Sequence, residues 1–185
     1  MNDIVLTLRG EKVGLGPLRE DLIPTYTRWW NDPEVMLPNA AHVWPCTEQE
    51  QRTWYEKAAL RGDGSAVHFL AYELATMRPL GVFTLFGINY RAQTAWASSF
   101  IGEKDCWGHG FATEARRLLL RYGFNVLGLH YVCVGIHADN IGSLRVAEKV
   151  GYKRVGVQRQ AVRKNGGYID AILMDILPED LKESL

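Results

Sequence analysis

Cysteine is scarce in this 185-residue chain: there are three, at positions 46, 106 and 133, and no pair has CxxC or zinc-ligand spacing. An odd, dispersed set excludes a disulfide framework and a structural metal site, and reads as reduced, small apolar side chains. Net charge is absent as well. The 21 Lys and Arg balance 21 Asp and Glu, which argues against a dedicated nucleic-acid binder, whose footprint is a basic excess. No apolar run approaches the ~20 residues of a membrane span. The opening MNDIVLTLRGEK carries an early Asp3 and no apolar stretch of a secretory signal. The expectation is a soluble, cytoplasmic chain without membrane, nucleic-acid or metal partners.

What is present is enough apolar residue for a core. With 47% hydrophobic residues the chain is not a disordered acidic or basic polymer. A single domain over 1–185 is the expectation, large enough to need no covalent staple. Residues 4–17 alternate like strands around a Gly10-Glu11-Lys12 turn. Asp21 to Trp30 reads as a helix ended or redirected by Asn31-Asp32-Pro33. Thr47 ahead of Glu48 and Glu50 reads as an N-cap with an acidic first turn, opening a helix to about Leu60. Val67–Leu74, Leu80–Ile88 and Thr94–Ile101 read as hairpin-linked strands.

After Ile101 the pattern changes. Ala115, Leu118, Leu119, Tyr122 and Val126 form a helical stripe over 111–126. Tyr131–Ile136 is a β-branched strand, Asp139-Asn140 opens a second helix, and Gly151 ends it. Two last strands, Tyr152–Val157 and Tyr168–Leu177, flank a Lys164-Asn165-Gly166-Gly167 turn. The strand–helix–strand passage over 95–136 predicts a right-handed crossover between parallel strands, and the fold class is mixed α/β.

The stretch with chemistry in it is Trp107-Gly108-His109-Gly110-Phe111-Ala112-Thr113-Glu114-Ala115. Two glycines between a strand and a helix let a ligand approach the backbone, and the helix N-terminus offers unpaired N–H groups to a phosphate. The same spacing also suits a plain strand-to-helix turn. A dinucleotide fingerprint needs a third glycine at 113, where Thr113 stands, and the chain has no Gly-Lys-Ser/Thr Walker loop.

These residues resemble the acetyl-CoA signature of the GNAT superfamily of N-acetyltransferases, in its RimJ/RimL-like branch. Asn140-Ile141-Gly142-Ser143 with Glu148-Lys149-Val150-Gly151-Tyr152 is similar to a second family motif. Asn31-Asp32-Pro33-Glu34-Val35 and Gly167-Tyr168-Ile169-Asp170 are similar to two more. The resemblance implies a mixed sheet of about seven strands, splayed between its fourth and fifth, with helices on either side. It implies acetyl-CoA as cosubstrate, with phosphates on the backbone of Gly108, His109, Gly110, Phe111, Ala112 and Thr113. Backbone near Phe100 and Ile101 would take the pantetheine arm, with Trp107, Asn140 and Ser143 also in contact.

The implied reaction is acetyl transfer to a primary amine by direct attack in a ternary complex. Two departures from the family stand out. The strand glutamate that serves many relatives as base is Ala97 here. The tyrosine that many relatives place after the asparagine as proton donor to the thiolate is Ala147. Ser143 is then a candidate sulfur contact or simply a residue of the first helical turn. His137 is a candidate base or a structural histidine.

Asp32, Glu34, His42 and Trp96 are candidates for binding the acceptor, a small molecule or peptide amine. A non-catalytic acyl-CoA-binding module is the competing reading, and a homodimer is a possible assembly. The zero net charge hides a gradient. Residues 1–67 hold 7 basic and 10 acidic side chains, while residues 140–165 hold 7 basic and 1 acidic. A basic segment suits a polyanionic cofactor, and an acidic one a cationic acceptor.

Overall fold

Turns rich in glycine and proline cut the chain into short apolar runs, and these pair into one mixed sheet. The computed structural model describes residues 4–38, 44–59, 64–164 and 166–182. The strands are β1 (Leu8–Arg9), β2 (Val13–Gly16), β3 (Ala66–Glu73), β4 (Pro79–Asn89), β5 (Thr94–Ile101), β6 (Tyr131–His137), β7 (Lys153–Lys164) and β8 (Gly167–Ile176). Their order is β1-β2-β3-β4-β5-β6-β8-β7. The β5–β6 pair is parallel and the others are antiparallel. The sheet has eight strands where about seven were expected, because the first arm of the N-terminal hairpin keeps two residues in register with β2.

The helices are α1 (Ile23–Trp30), α2 (Pro33–Met36), α3 (Glu48–Ala59), α4 (Phe111–Asn125) and α5 (Ile141–Val150). Asn31-Asp32-Pro33 redirects the chain. The Asp32 side chain accepts the Glu34 N–H at 2.9 Å, and Pro33 opens α2. Thr47 caps α3 reciprocally: its Oγ1 accepts the Glu50 N–H at 3.2 Å while the Glu50 carboxylate accepts the Thr47 N–H at 2.7 Å.

Strand β3 is apolar on both faces, and each face has its own helices. Phe69 and Ala71 join α4 and α5 in a core with Leu85, Leu119, Val132 and Met174. Leu70 and Tyr72 join Ile23, Tyr26 and Trp29 of α1 in a second cluster, against which Trp54 of α3 packs. The stripe on α4 is wider than its sequence spacing predicts. Leu120 and Phe124 are buried, and Val126, placed on the stripe, caps the helix end and is exposed.

Beyond β5 the chain turns at Gly102, where a Cβ would stand 2.2 Å from the Trp29 indole. That indole donates to Glu103 at 2.8 Å, so α1 is locked to the end of β5. Strands β5 and β6 stay together for only three pairs, Thr94↔Tyr131, Ala95↔Val132 and Trp96↔Cys133. Beyond these, β5 follows β4 to Ile101 and β6 follows β8 to His137, so the sheet splays.

Candidate active-site cleft

The splay leaves the 97–101 edge of β5 unpaired. Hydrogen-bonding direction alternates along a strand. The Gly102 N–H donates to Leu80 on the β4 side at 2.8 Å. The Phe100 carbonyl also points to β4, 2.0 Å from where a Gly81 Cβ would be. The backbone groups of Ala97, Ser99 and Ile101 therefore face the gap. Sequence reasoning placed this edge at Phe100 and Ile101, and the alternation moves the first of them to Ser99. Phe100 contributes its ring, edge-on to Trp29.

A cleft of about 470 Å³ runs from this edge to the start of α4. Phe100, Ile101, Trp107, Gly108, Gly110, Phe111, Ala112, Thr113, Asn140 and Ser143 all line it. Gly108 and Gly110 have φ of 81° and 87°, the left-handed region that side chains resist, and no atom lies within 4 Å of a Cβ built on either. Glycine is thus needed for conformation, and the space beside it is open to a ligand. The first helical bond runs from the Glu114 N–H to the Gly110 carbonyl at 3.1 Å. The N–H groups of Phe111, Ala112 and Thr113 precede it and have no partner inside the helix. This donor set at a positive helix end fits a phosphate.

Neighbouring residues hold the loop in place. The Trp107 indole donates to the Ile101 carbonyl at 2.9 Å. The Glu114 carboxylate accepts N–H bonds from Glu11, Lys12 and Val13, which ties the β1–β2 turn to α4. A Cβ at Gly10 would stand 2.1 Å from the Glu114 carboxylate, which would have to shift. His109 is exposed and lines a separate groove with Asp105 and Arg78 rather than the cleft. On α5, Gly142, Arg145, Val146 and Lys149 recur at helical spacing along the cleft.

A second cavity of about 290 Å³ adjoins the first on the far side of the splay. Phe86, Trp96, Ser98 and His137 line it, and Pro38, Ser99, Arg116, Asn140 and Ser143 line both. The His137 Nδ1 is buried without a hydrogen-bond partner. Burial holds this imidazole below its usual range, with Asp139 pulling the other way. Asn140 caps α5: its Oδ1 accepts the Ser143 N–H at 3.1 Å, and its Nδ2 donates to Pro38 at 3.0 Å. Sequence reasoning missed Ser99 and Arg116, because a serine in a strand and an arginine in a helix carry no motif.

The two carboxylates expected at the acceptor are engaged elsewhere. Lys104 bridges Asp32 at 2.9 Å and Glu34 at 3.1 Å. Its ammonium and the Glu34 N–H hold the Asp32 carboxyl below its ordinary value. Glu34 borders the cleft, while Asp32 borders neither cavity. His42 lies outside the described residues. Cys106 is buried and Cys133 half-buried, and burial pushes the Cys133 thiol up to about 11, the reverse of an activated nucleophile. A larger cavity of about 620 Å³, against Arg19 and Tyr72, shares no residue with the cleft. Among the described residues no cluster suits a metal ion, and no helix is long and apolar enough to cross a membrane.

Residues 12–153 match the family model described as an acetyltransferase (GNAT) domain. The chain is 38% identical over 114 residues to a probable N-acetyltransferase, YjcK, of Bacillus subtilis, a match that spans 61% of this chain and 62% of that protein. Its fold is similar to that of a spermidine N-acetyltransferase from Vibrio cholerae in complex with CoA and spermine. The TM-score is 0.82 at 23% identity, over 92% of this chain and 98% of that one. Mycobacterium smegmatis RimJ in complex with CoA-disulfide is also similar, with a TM-score of 0.80 at 20% identity, over 93% and 85%.

Proposed function

Because the chain belongs to the GNAT acetyltransferase family, we propose that it transfers an acetyl group from acetyl-CoA to a primary amine by direct attack in a ternary complex. The RimJ/RimL-like branch is supported by the Trp107–Ala115 signature. The observation that carries the activity is the continuity of two cavities through the splay. One begins at a free helix N-terminus, the other is lined by His137, whose Nδ1 has no partner, and they meet at Ser99, Arg116 and Ser143. A binding module needs only the first cavity.

Acetyl-CoA supplies the activated acyl group, as a thioester. The N–H groups at the start of α4 bind its phosphates, with Arg145 and Lys149 beside them. The open edge at Ser99 and Ile101 pairs with its amide arm. Backbone N–H groups on such an edge also stabilise negative charge on a carbonyl oxygen. His137, neutral because burial disfavours its cation, accepts the proton of the attacking amine directly or through water. It does so from β6, where the family glutamate would act from β5 at Ala97.

The acceptor is a small-molecule or peptide amine. No carboxylate lines the second cavity among the described residues, and Lys104 neutralises Asp32 and Glu34. This favours an acceptor with one positive charge over a polyamine. Release of free thiol from acetyl-CoA, followed over alkylamines, polyamines, aminoglycosides and peptides with free N-termini, tests the reading. Turnover with monoamines or peptides is expected. CoA binding without turnover on any amine favours the module instead.

A further inference from the structure

Arg116 is the charged side chain at the junction of the two cavities, and its surroundings are unusual. It projects from α4 and is 5% exposed. Its Nη2 donates to the Ser99 Oγ on the open edge of β5. Its Nε is buried without a partner, and among the described residues no carboxylate pairs with it. Nearby Tyr152 is also buried, and burial raises its phenol while the Arg116 guanidinium beside it pulls the other way. A guanidinium does not give up its proton in proteins. A buried cation without a counter-ion lowers stability, so packing alone does not account for it. It is a standing positive charge facing a space where the reaction creates a negative one.

Resting on the acetyltransferase reading, we propose that Arg116 stabilises the sulfur anion that leaves in the transfer step. As the amine nitrogen bonds to the acyl carbon, the carbon–sulfur bond breaks and its electron pair goes to sulfur. The guanidinium faces that charge, and the proton lost by the amine finally reaches the sulfur, giving amide and free thiol. Arg116 thereby supplies what a tyrosine at the Ala147 position supplies elsewhere, but by charge rather than by proton donation. Ser99 fixes the guanidinium through its hydrogen bond, so its own O–H is left to point into the junction.

The test uses CoA itself, the product with a free thiol, bound to the whole chain. Thiolate absorbance in the ultraviolet is titrated against pH in the wild type, Arg116→Met and Arg116→Lys. An opposite charge at close range lowers a pKa by about 1–3 units. The bound thiol is therefore expected to ionise at least about tenfold more readily in the wild type than in Arg116→Met, with Arg116→Lys retaining part of the shift. The kcat of Arg116→Met is expected to fall about tenfold or more, with the KM for acetyl-CoA within about twofold. Its melting temperature should hold or rise as the unpaired charge goes.

Equal thiol pKa values in the wild type and Arg116→Met overturn the proposal. So does a lower melting temperature with an unmoved thiol, the mark of a purely structural arginine. Should Arg116→Met fail to fold, Arg116→Gln, neutral but able to bond Ser99, is held to the same criterion. Failure of the wild type to bind CoA at all overturns the acetyltransferase reading, and this proposal with it.

Discussion

Replacing Gly110 by Asp separates the fold from the ligand site in one experiment. Gly110 precedes α4 at φ 87°, and its missing Cβ faces open space. For the fold, a non-glycine residue in the left-handed region costs ~1–2 kcal/mol. A carboxylate at a helix N-terminus returns ~0.3–1 kcal/mol. The net loss is about 1 kcal/mol, or roughly 2–4 °C in melting temperature for a chain of this size. For the ligand, a carboxylate roughly 5 Å from a phosphate charge repels it by about 3 kcal/mol at an effective dielectric of ~20. That is a roughly 200-fold loss of CoA affinity. Calorimetry with CoA reads the second number and a thermal melt the first. Gly110→Ala serves as control, with the strain but not the charge. A folded Asp variant that binds CoA within about threefold of the wild type would refute the placement of the phosphates at α4.

Two further outcomes follow from the packing and the titratable groups. Gly102→Ala drives a Cβ into the fully buried Trp29 indole, so an overpacking loss of ~1–3 kcal/mol is expected, seen as a lower urea midpoint; an unchanged midpoint removes the claim that α1 is locked to β5 there. Burial holds His68 and His137 below the usual imidazole range. The unfolded chain therefore takes up protons first as pH falls below about 6.5, and stability drops until the folded residues protonate. Urea midpoints at neutral and mildly acid pH should show the drop, and His68→Gln together with His137→Asn should flatten it; a double variant as pH-sensitive as the wild type contradicts the assignment.

Periodic elements and local turn chemistry were legible in the sequence, and long-range geometry was not. The Thr47 cap and the glycines of the α4 loop each follow from residues within one or two turns of each other, and the parallel crossover from β5 to β6 follows from the strand–helix–strand order. The splay is set by strand pairing far apart in sequence. It shifts the edge from Phe100 to Ser99, a one-residue step that reverses which backbone groups point outward. The His109 ring, between two left-handed glycines, lies in a groove beside Asp105 and Arg78, a placement that its position in the motif does not reveal. Arg116 was unreadable for another reason. In sequence it is one more polar residue on an amphipathic helix, and only three-dimensional packing shows that the helix buries it.

Charge shows most plainly how a sequence segment differs from a surface. Of the seven basic residues over 140–165, Lys153, Arg154 and Lys164 pair with Asp180, Glu148 and Asp139. Arg145 and Lys149 line the cleft, where a polyanion would lie. In the acidic N-terminal portion, Glu20 and Asp21 pair with Arg52 and Arg19, and Asp32 and Glu34 with Lys104. The basic side chains therefore persist along the cofactor cleft, while the two carboxylates expected at the acceptor are paired with Lys104. A polyamine site needs carboxylates to offset the desolvation of several ammonium groups. Here the second cavity offers aromatic rings, an imidazole and a guanidinium. Near such a cation an amine loses its proton more readily. On the proposed function, the arrangement would disfavour polycations as acceptors and, for a monoamine, promote the neutral form that attacks.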